Sequence, residues 1–466
     1  MELGSTYMRE VSANAILVQL DARPDFAAVS AMPRGPERKT AAWDALVATA
    51  EASQQPMLAL VDSLTGAGLV EDVQRLVSPN MLVVTPKLGR GNEVVASFQR
   101  DGVDAIWSNG GGIPVWTPGR SSAGDVRLHV PTLPDEPRER GGDQPRPTAP
   151  TWGVDAVGAP QAWAQGADGA GMVFGSIDTG VDGGHEALRA AFRGTSALGV
   201  GTSDHNWIDL SRAHAATPFD TDGHGTHTTG TAVGRGGIGV APAAKWIAVR
   251  QAPTVDTDGV LQALQWMQAP TRVDGSAPDP TKAPDVVGMS WRHGIVGDHL
   301  FAQPFENLQA AGIELVKSAG NDGPVEETIT SPGHMPQVIT VGGVDEAAVP
   351  DPESSHGPTL GPDGDSLNKP ELAAPGIAVL SAMPGNTYGA LSGTSMAQPH
   401  VAGAALILLG KFPQLTHKQL VGALQAGAID LAAPGWDTAS GAGLLNIPAA
   451  LHKAAELLAT DTSVAA

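Results

Sequence analysis

Cysteine is absent from this 466-residue chain, which removes thiol nucleophiles, disulfide staples and cysteine metal sites together. It leaves the compartment open, because secreted chains without cysteine also exist. Long apolar runs are missing too: no stretch approaches the ~18 apolar residues of a membrane-spanning helix. Met1 to Ala13 shows no basic region followed by an apolar stretch, so no signal peptide is visible. The chain is then either cytoplasmic or begins after a removed leader. Positive charge is scarce, with Lys+Arg 28 against Asp+Glu 49 and a formal charge of −21. Such a surface favours solubility and argues against nucleic acid or an anionic membrane as main partner.

What the chain does have is apolar content of 42%, with Gly 58 and Pro 37. That is enough for a large core and for many turns. Residues 14–116 mix strand and helix patterns. Ala15–Leu20 reads as a strand, Ala41–Ala52 as a helix, and Glu71–Val77 with Met81–Thr85 as a hairpin across Ser78-Pro79-Asn80. Glu93–Gln99 looks helical and Val103–Trp107 returns to strand. That order fits a small α+β ferredoxin-like domain. Residues 117–150 carry seven prolines among Arg, Asp, Glu and Gly, the composition of an extended linker. It is either a spacer or a site for removing the first domain.

From Thr151 onward, apolar strand-like runs (Met172–Ile177, Lys245–Val249, Asp285–Met289, Glu314–Ser318, Val338–Val341) alternate with helical patterns at Val260–Gln268, Ser395–Leu409 and His417–Ala426. Thr416 and Gln419 have capping-box spacing. The alternation predicts a mostly parallel sheet covered by helices on both faces over 151–460.

Four segments carry chemistry. A strand ends in Asp178-Thr179-Gly180, placing a carboxylate where reactive groups gather in such sheets. Asp222-Gly223-His224-Gly225-Thr226-His227 gives an imidazole flanked by glycines. His224 and His227 have metal-ligand spacing, but no third ligand stands at a helical offset, and His227 reads as a structural hydrogen-bonding residue. Ser318-Ala319-Gly320-Asn321 follows another buried strand and offers an amide to an oxyanion. Gly393-Thr394-Ser395 delivers a hydroxyl to a helix start, where free N–H groups favour negative charge, with Pro399 expected in the first helical turn. Any one of these reads as an ordinary turn or cap. The order Asp, His, Asn, Ser is that of subtilisin.

Residues from about 152 to 450 therefore resemble a subtilase, with motifs like those of the bacillopeptidase F-like group. The marks are SIDTGVD, DGHGTHTTGT, SAGNDGP and LSGTSMAQPHVAG, with GVAPAAKWIAVR, KPELAAPG and GAGLLNIPAAL beside them. The resemblance implies a subtilisin-like three-layer αβα catalytic domain and a serine endopeptidase. In it Ser395 is the nucleophile, His224 the base and acid, Asp178 the residue that orients the imidazole, and Asn321 the oxyanion donor beside the backbone N–H of Ser395. It implies a zymogen whose first domain is a propeptide and intramolecular inhibitor, protein or peptide substrates, and secretion.

Ser290, Trp291, Arg292, Ser318, Ala319 and Gly320 fall where the resemblance places substrate-binding residues. In Ser290-Trp291-Arg292-His293-Gly294, two bulky residues replace the usual glycines, and Gly288 stands where asparagine is common. Thr330 and Ser331 fall at the expected pocket floor. The chemistry requires no cofactor. Structural calcium is common in the family, and Asp204, Asp209, Asp220 and Asp222 cluster, but they spell no recognisable site and read better as a solvated acidic loop. Three further readings stay open: a catalytically silent subtilase that binds rather than cuts, a metal-dependent hydrolase built on His224 and His227, and a maturation protease for one partner.

Overall fold

The computed structural model describes residues 14–110, 114–117, 144–195, 201–211, 213–251, 257–292, 299–431 and 434–464. Most of the expected linker, and His293 and Gly294, lie outside the described residues.

The first unit runs β1 (Ile16–Leu20), α1 (Ala27–Ser30), α2 (Pro36–Gly66), β2 (Val70–Leu76), β3 (Met81–Pro86), α3 (Gly91–Phe98), β4 (Val103–Ser108) and β5 (Pro114–Trp116). Its antiparallel sheet has the order β2-β3-β1-β4-β5. The first four strands form the expected ferredoxin-like arrangement, and Leu76 pairs with Met81 across the expected hairpin. α2 is far longer than the helix expected at Ala41–Ala52. Pro36 starts it, where a missing N–H is harmless. Its buried stripe of Ala42, Leu46, Ala50, Met57, Val61 and Leu64 continues past Pro56.

The second unit begins with α4 (Trp152–Ala156) and α5 (Ala159–Ala164), then β6 (Val173–Asp178), β7 (Trp207–Asp209), α6 (His224–Val233), β8 (Lys245–Arg250) and α7 (Thr257–Gln268). It continues with β9 (Val286–Met289), α8 (Ala302–Ala310), β10 (Glu314–Ser318), β11 (Val338–Val344), the small pair β12 (Thr359–Leu360) and β13 (Ser366–Leu367), β14 (Leu372–Pro375), and the hairpin β15 (Val379–Met383) and β16 (Thr387–Leu391). α9 (Thr394–Lys411), α10 (His417–Gly427) and α11 (Ile447–Val464) close the unit. The expected capping box is present, Thr416 accepting from the Gln419 N–H and Gln419 reaching back.

Seven strands form one parallel sheet in the order β14-β11-β10-β9-β6-β8-β7. Successive strand residues point to opposite faces. Val286 and Ala248 join the core beneath α6 and α9, while Val287 and Ile247 join the core beneath α7 and α8. Both faces are covered, so the strands are buried on both sides and mainly apolar rather than alternating, with polar residues such as Lys245, Arg250 and Glu314 falling at their ends. This is the three-layer αβα architecture. The second core continues into the first unit, where Leu17, Met81, Val83 and Trp107 belong to it.

Candidate active site

Asp178 is the last residue of β6, held in a dense set of hydrogen bonds. Its Oδ1 accepts from the Thr179 N–H at 2.7 Å and lies 2.7 Å from His224 Nδ1. Its Oδ2 accepts from the Thr228 hydroxyl at 3.3 Å. His224 opens α6 directly above the strand end, and Gly225 makes this approach feasible. A Cβ at Gly225 would stand 2.2 Å from the Gly180 carbonyl oxygen.

Asp220 braces the same corner. Its Oδ1 accepts from the Thr179 hydroxyl and the N–H groups of Asp222 and Gly223, and its Oδ2 from the N–H and hydroxyl of Thr226. Asp209 likewise accepts from the Ser211 and Ala215 N–H groups and pairs with Arg250. Both carboxylates are buried, at 8% and 1% exposure. The acidic cluster is thus partly interior scaffold rather than a solvated loop, because backbone donors occupy these oxygens. The set does not fit a calcium site, and among the described residues no three His, Asp or Glu side chains gather as metal ligands.

The electrostatics of His224 follow from this surrounding. Burial alone lowers its pKa, but the charge and hydrogen bond of Asp178, with Asp222 and Asp220 behind, more than offset that and raise it above the ordinary 6.5. His227 behaves oppositely. Burial pushes it down to about 3, and its Nε2 bonds the Val379 carbonyl at 2.8 Å. Its Nε2 is committed to the β15 backbone, which agrees with a structural hydrogen-bonding histidine.

Ser395 is the second residue of α9, which packs against α6 in the layer over the sheet. Its Oγ is buried without a hydrogen-bond partner among the described residues, and so is His224 Nε2. Neither atom therefore hydrogen-bonds to the other in this structure, and both are among seventeen such buried side-chain atoms of the described residues, so it is the Asp178 contact that singles out the His224 imidazole. The Gly393 φ of 141° lies in the region that favours glycine, turning the chain sharply into the helix.

Pro399 is the sixth residue of α9, not part of its first turn. Lacking an N–H, it leaves the Ser395 carbonyl without its helical donor. The Ser290 hydroxyl fills that place at 3.3 Å.

Asn321 lies just past β10. Its Oδ1 accepts from the Thr394 N–H at 3.0 Å and the Thr394 hydroxyl at 2.9 Å. The Thr394 hydroxyl also accepts from the Gly320 N–H at 3.2 Å. With Oδ1 fixed, the Nδ2 donor is the half of the amide left for another acceptor. Thr394 and Thr228 were not singled out from sequence; their only signal was adjacency to Ser395 and helical spacing from His224.

The expected substrate-binding residues divide. Ser290, Ser318 and Ala319 are buried, and Ser318 accepts from Lys317. Their side chains belong to the scaffold, leaving backbone as what they can offer. Arg292 pairs with Asp322, so its charge is already engaged. The ion pair links the segments following β9 and β10. Gly288 is explained by packing: a Cβ there would lie 2.6 Å from the Phe174 ring.

A carboxylate, an imidazole and a hydroxyl at adjoining element ends, beside a fixed amide donor, can perform nucleophilic acyl transfer. The pattern of the subtilase family matches residues 169–443. Bacillopeptidase F of Bacillus subtilis (strain 168) is 40% identical over 274 residues, 55% of this chain and 18% of that protein. Subtilisin DY of Bacillus licheniformis is 32% identical over 308 residues, covering 64% of this chain and 97% of that one. Subtilisin E of Bacillus subtilis (strain 168) is 32% identical over 305 residues, 64% of this chain and 70% of that one. The chain thus spans under a fifth of Bacillopeptidase F but nearly all of Subtilisin DY.

Proposed function

The chain belongs to the subtilase family, and on that premise we propose that it is a serine endopeptidase acting on protein or peptide substrates through an acyl-enzyme. The observation that carries this reading is the His224 imidazole at the start of α6, held from behind by Asp178 at 2.7 Å, with Ser395 at the start of α9, the helix packed against α6. His224 takes the Ser395 proton as Oγ attacks the peptide carbonyl carbon. The oxyanion that forms meets the Asn321 amide and the Ser395 backbone N–H at the start of α9. His224 then gives its proton to the departing amine, and water repeats the sequence to release the acid. No cofactor takes part.

The same reading makes residues 14–116 a propeptide, residues 117–150 its processing region, and the enzyme a secreted zymogen. Among the described residues no helix is long and apolar enough to cross a membrane. The test is intact-mass analysis of wild type beside Ser395→Ala after incubation at neutral pH. Scission between residues 110 and 155 in wild type alone supports nucleophile and processing together. If both stay whole and a mixed peptide library is untouched, the silent-subtilase reading replaces this one. Loss of activity to chelator, with insensitivity to serine-directed inhibitors, would instead favour a metal-dependent hydrolase.

A further inference from the structure

Under the start of α9, two buried oxygens converge on one proton. The Ser290 hydroxyl, just past β9, lies 3.3 Å from the Ser395 carbonyl oxygen and 3.2 Å from Gln398 Oε1. Ser290 is 2% exposed, and Gln398 and Ser395 are each 1% exposed. A hydroxyl has a single proton to donate, so in this arrangement the carbonyl and the amide oxygen compete for it. The carbonyl needs it more, because Pro399, four residues on, lacks the N–H that normally fills that place in a helix.

The other end of the same amide is idle. Gln398 Nε2 is buried with no hydrogen-bond partner among the described residues. Two acceptors sharing one proton beside an unused donor is a costly arrangement in a dry interior. The space around Nε2 borders Gly288, where a Cβ would stand 2.9 Å from Nε2 and 2.6 and 2.7 Å from Cζ and Cε2 of Phe174. The rim of an aromatic ring carries positive partial charge, which suits a carbonyl oxygen better than an N–H. An asparagine at 288 would fill this space; glycine leaves it to the Gln398 amide.

The two ends of a carboxamide have nearly the same shape, and only the hydrogen-bond network distinguishes them. Turned over in the same cradle, the group resolves both faults together. Nε2 then donates to the Ser290 hydroxyl oxygen, and the hydroxyl proton is left for the Ser395 carbonyl alone. Oε1 comes to lie against the Phe174 rim.

We propose that Gln398 is a positioning residue that works through Ser290: its amide donates to the Ser290 hydroxyl, which donates to the Ser395 carbonyl. The relay replaces the hydrogen bond that Pro399 withholds. The direction of that carbonyl sets ψ of Ser395, and with it the frame from which Oγ projects. Ser395 Oγ has no hydrogen-bond partner among the described residues, so the placing of this residue rests on its backbone. Ser290 also begins the Ser290-Trp291-Arg292 run after β9, so the same hydroxyl ties that run to α9. At 1% exposure Gln398 itself is out of a substrate's reach. The kinetic consequence rests on the proposed acyl transfer; the relay rests on geometry alone.

The test compares the parent with Gln398→Met, Ser290→Ala and the double variant on a peptide library, with a serine-directed reagent counting reactive sites so that kcat refers to folded enzyme. Methionine keeps the length and apolar body of the side chain and removes both polar ends. Gln398→Met should lower kcat roughly 10-fold with KM within about 2-fold, the scale of one lost neutral hydrogen bond. The double variant should be no slower than Ser290→Ala, because the amide acts only through the hydroxyl. Urea unfolding should show the same coupling, with Gln398→Met costing stability in the parent and little in Ser290→Ala. If the amide oxygen faced the hydroxyl instead, methionine would free the Ser290 proton for Ser395 and remove an idle donor. Then kcat and stability would hold or rise, and that result overturns the proposal. So do losses that add in full in the double variant. Should Gln398→Met fail to fold, neutron diffraction from deuterated Ser395→Ala, which keeps the carbonyl, decides directly. Deuterium on the Gln398 atom nearest Ser290 supports the relay, and a Ser290 deuterium aimed at Gln398 overturns it. A parent that neither cuts the library nor takes the serine-directed label overturns the proposed function, and the urea cycle and neutron map then judge the relay by themselves.

Discussion

The Ser290 hydroxyl donates to the carbonyl oxygen of Ser395 across the crevice between β9 and α9. Pro399 withholds the N–H that would otherwise occupy that oxygen. Gln398 Oε1, at 3.2 Å, shares the same hydroxyl. The residue expected to touch substrate therefore steadies the backbone of Ser395, the proposed nucleophile. Ser290→Ala should cost about 1–3 kcal/mol, the usual penalty for stranding buried acceptors. Urea unfolding measures that cost. Steady-state kinetics should show kcat falling more than KM rises.

The fixed amide of Asn321 predicts a transition-state effect. Asn321→Ala should lower kcat about 10²–10³-fold with KM nearly unchanged, a magnitude taken from subtilisin itself rather than derived from this chain. Thr394→Val keeps the shape but removes the hydroxyl bond to Asn321 Oδ1. A smaller fall in kcat, about 10-fold, is expected because the Thr394 N–H still holds the amide. A change confined to KM would contradict both.

The pH dependence of kcat/KM should follow His224, which must be neutral to accept the Ser395 proton. Its pKa is raised above 6.5 because Asp178, Asp222 and Asp220 together outweigh burial. The acidic limb should therefore have its midpoint above 6.5. Asp178→Asn should move that midpoint down and cost about 10⁴ in kcat. The stability sign is separate: the imidazolium–carboxylate pair stabilises the fold below the unfolded pKa, and that contribution is lost as pH rises through the folded one.

The Arg292–Asp322 pair narrows the approach between the segments after β9 and β10. Arg292→Gly should broaden the cleavage profile or raise kcat/KM for larger side chains, read on a peptide library. Asp322→Asn should shift the profile the same way, and the double variant should add little, because both remove one interaction. An unchanged profile in both single variants would remove the pair from specificity.

Glu314 predicts acid sensitivity. Burial alone would raise its pKa, but Arg34 and His417 more than offset this and hold it at about 2. A depressed carboxylate stabilises the fold above its unfolded value, and the contribution is lost as pH falls through the folded one. About 3 kcal/mol should disappear between pH ~4.5 and ~2. Denaturant unfolding across that window checks it, and Glu314→Gln should flatten the slope. Arg38, Lys39 and Asp285 face the same base of the sheet, at the amino ends of β9 and β10.

Much of this protein can be read along the chain. The first four strands of the first unit, the capping box of α10 and four of the site's segments are local matters, since short runs of apolar spacing, turn residues and helix starts encode them. α2 outran its expected end because its buried stripe continues through Pro56, where local propensity argues for a stop but tertiary packing prevails. Arg292 could be read as unusual, yet nothing in its segment announced Asp322, thirty residues later.

What the sequence determined by itself was the inventory and order of reactive groups. Asp178, His224, Asn321 and Ser395 each carry their own local turn or helix start. Tertiary structure alone decided their orientation and support. It set the Asp178–His224 contact, turned Asn321 through Thr394, and routed the Ser290 hydroxyl to an oxygen vacated by Pro399. It also joined the units through Arg34 and Glu314, 280 residues apart. A motif fixes which chemical groups are present within a few residues. Pairing across a parallel sheet depends on long-range packing, which no short segment specifies.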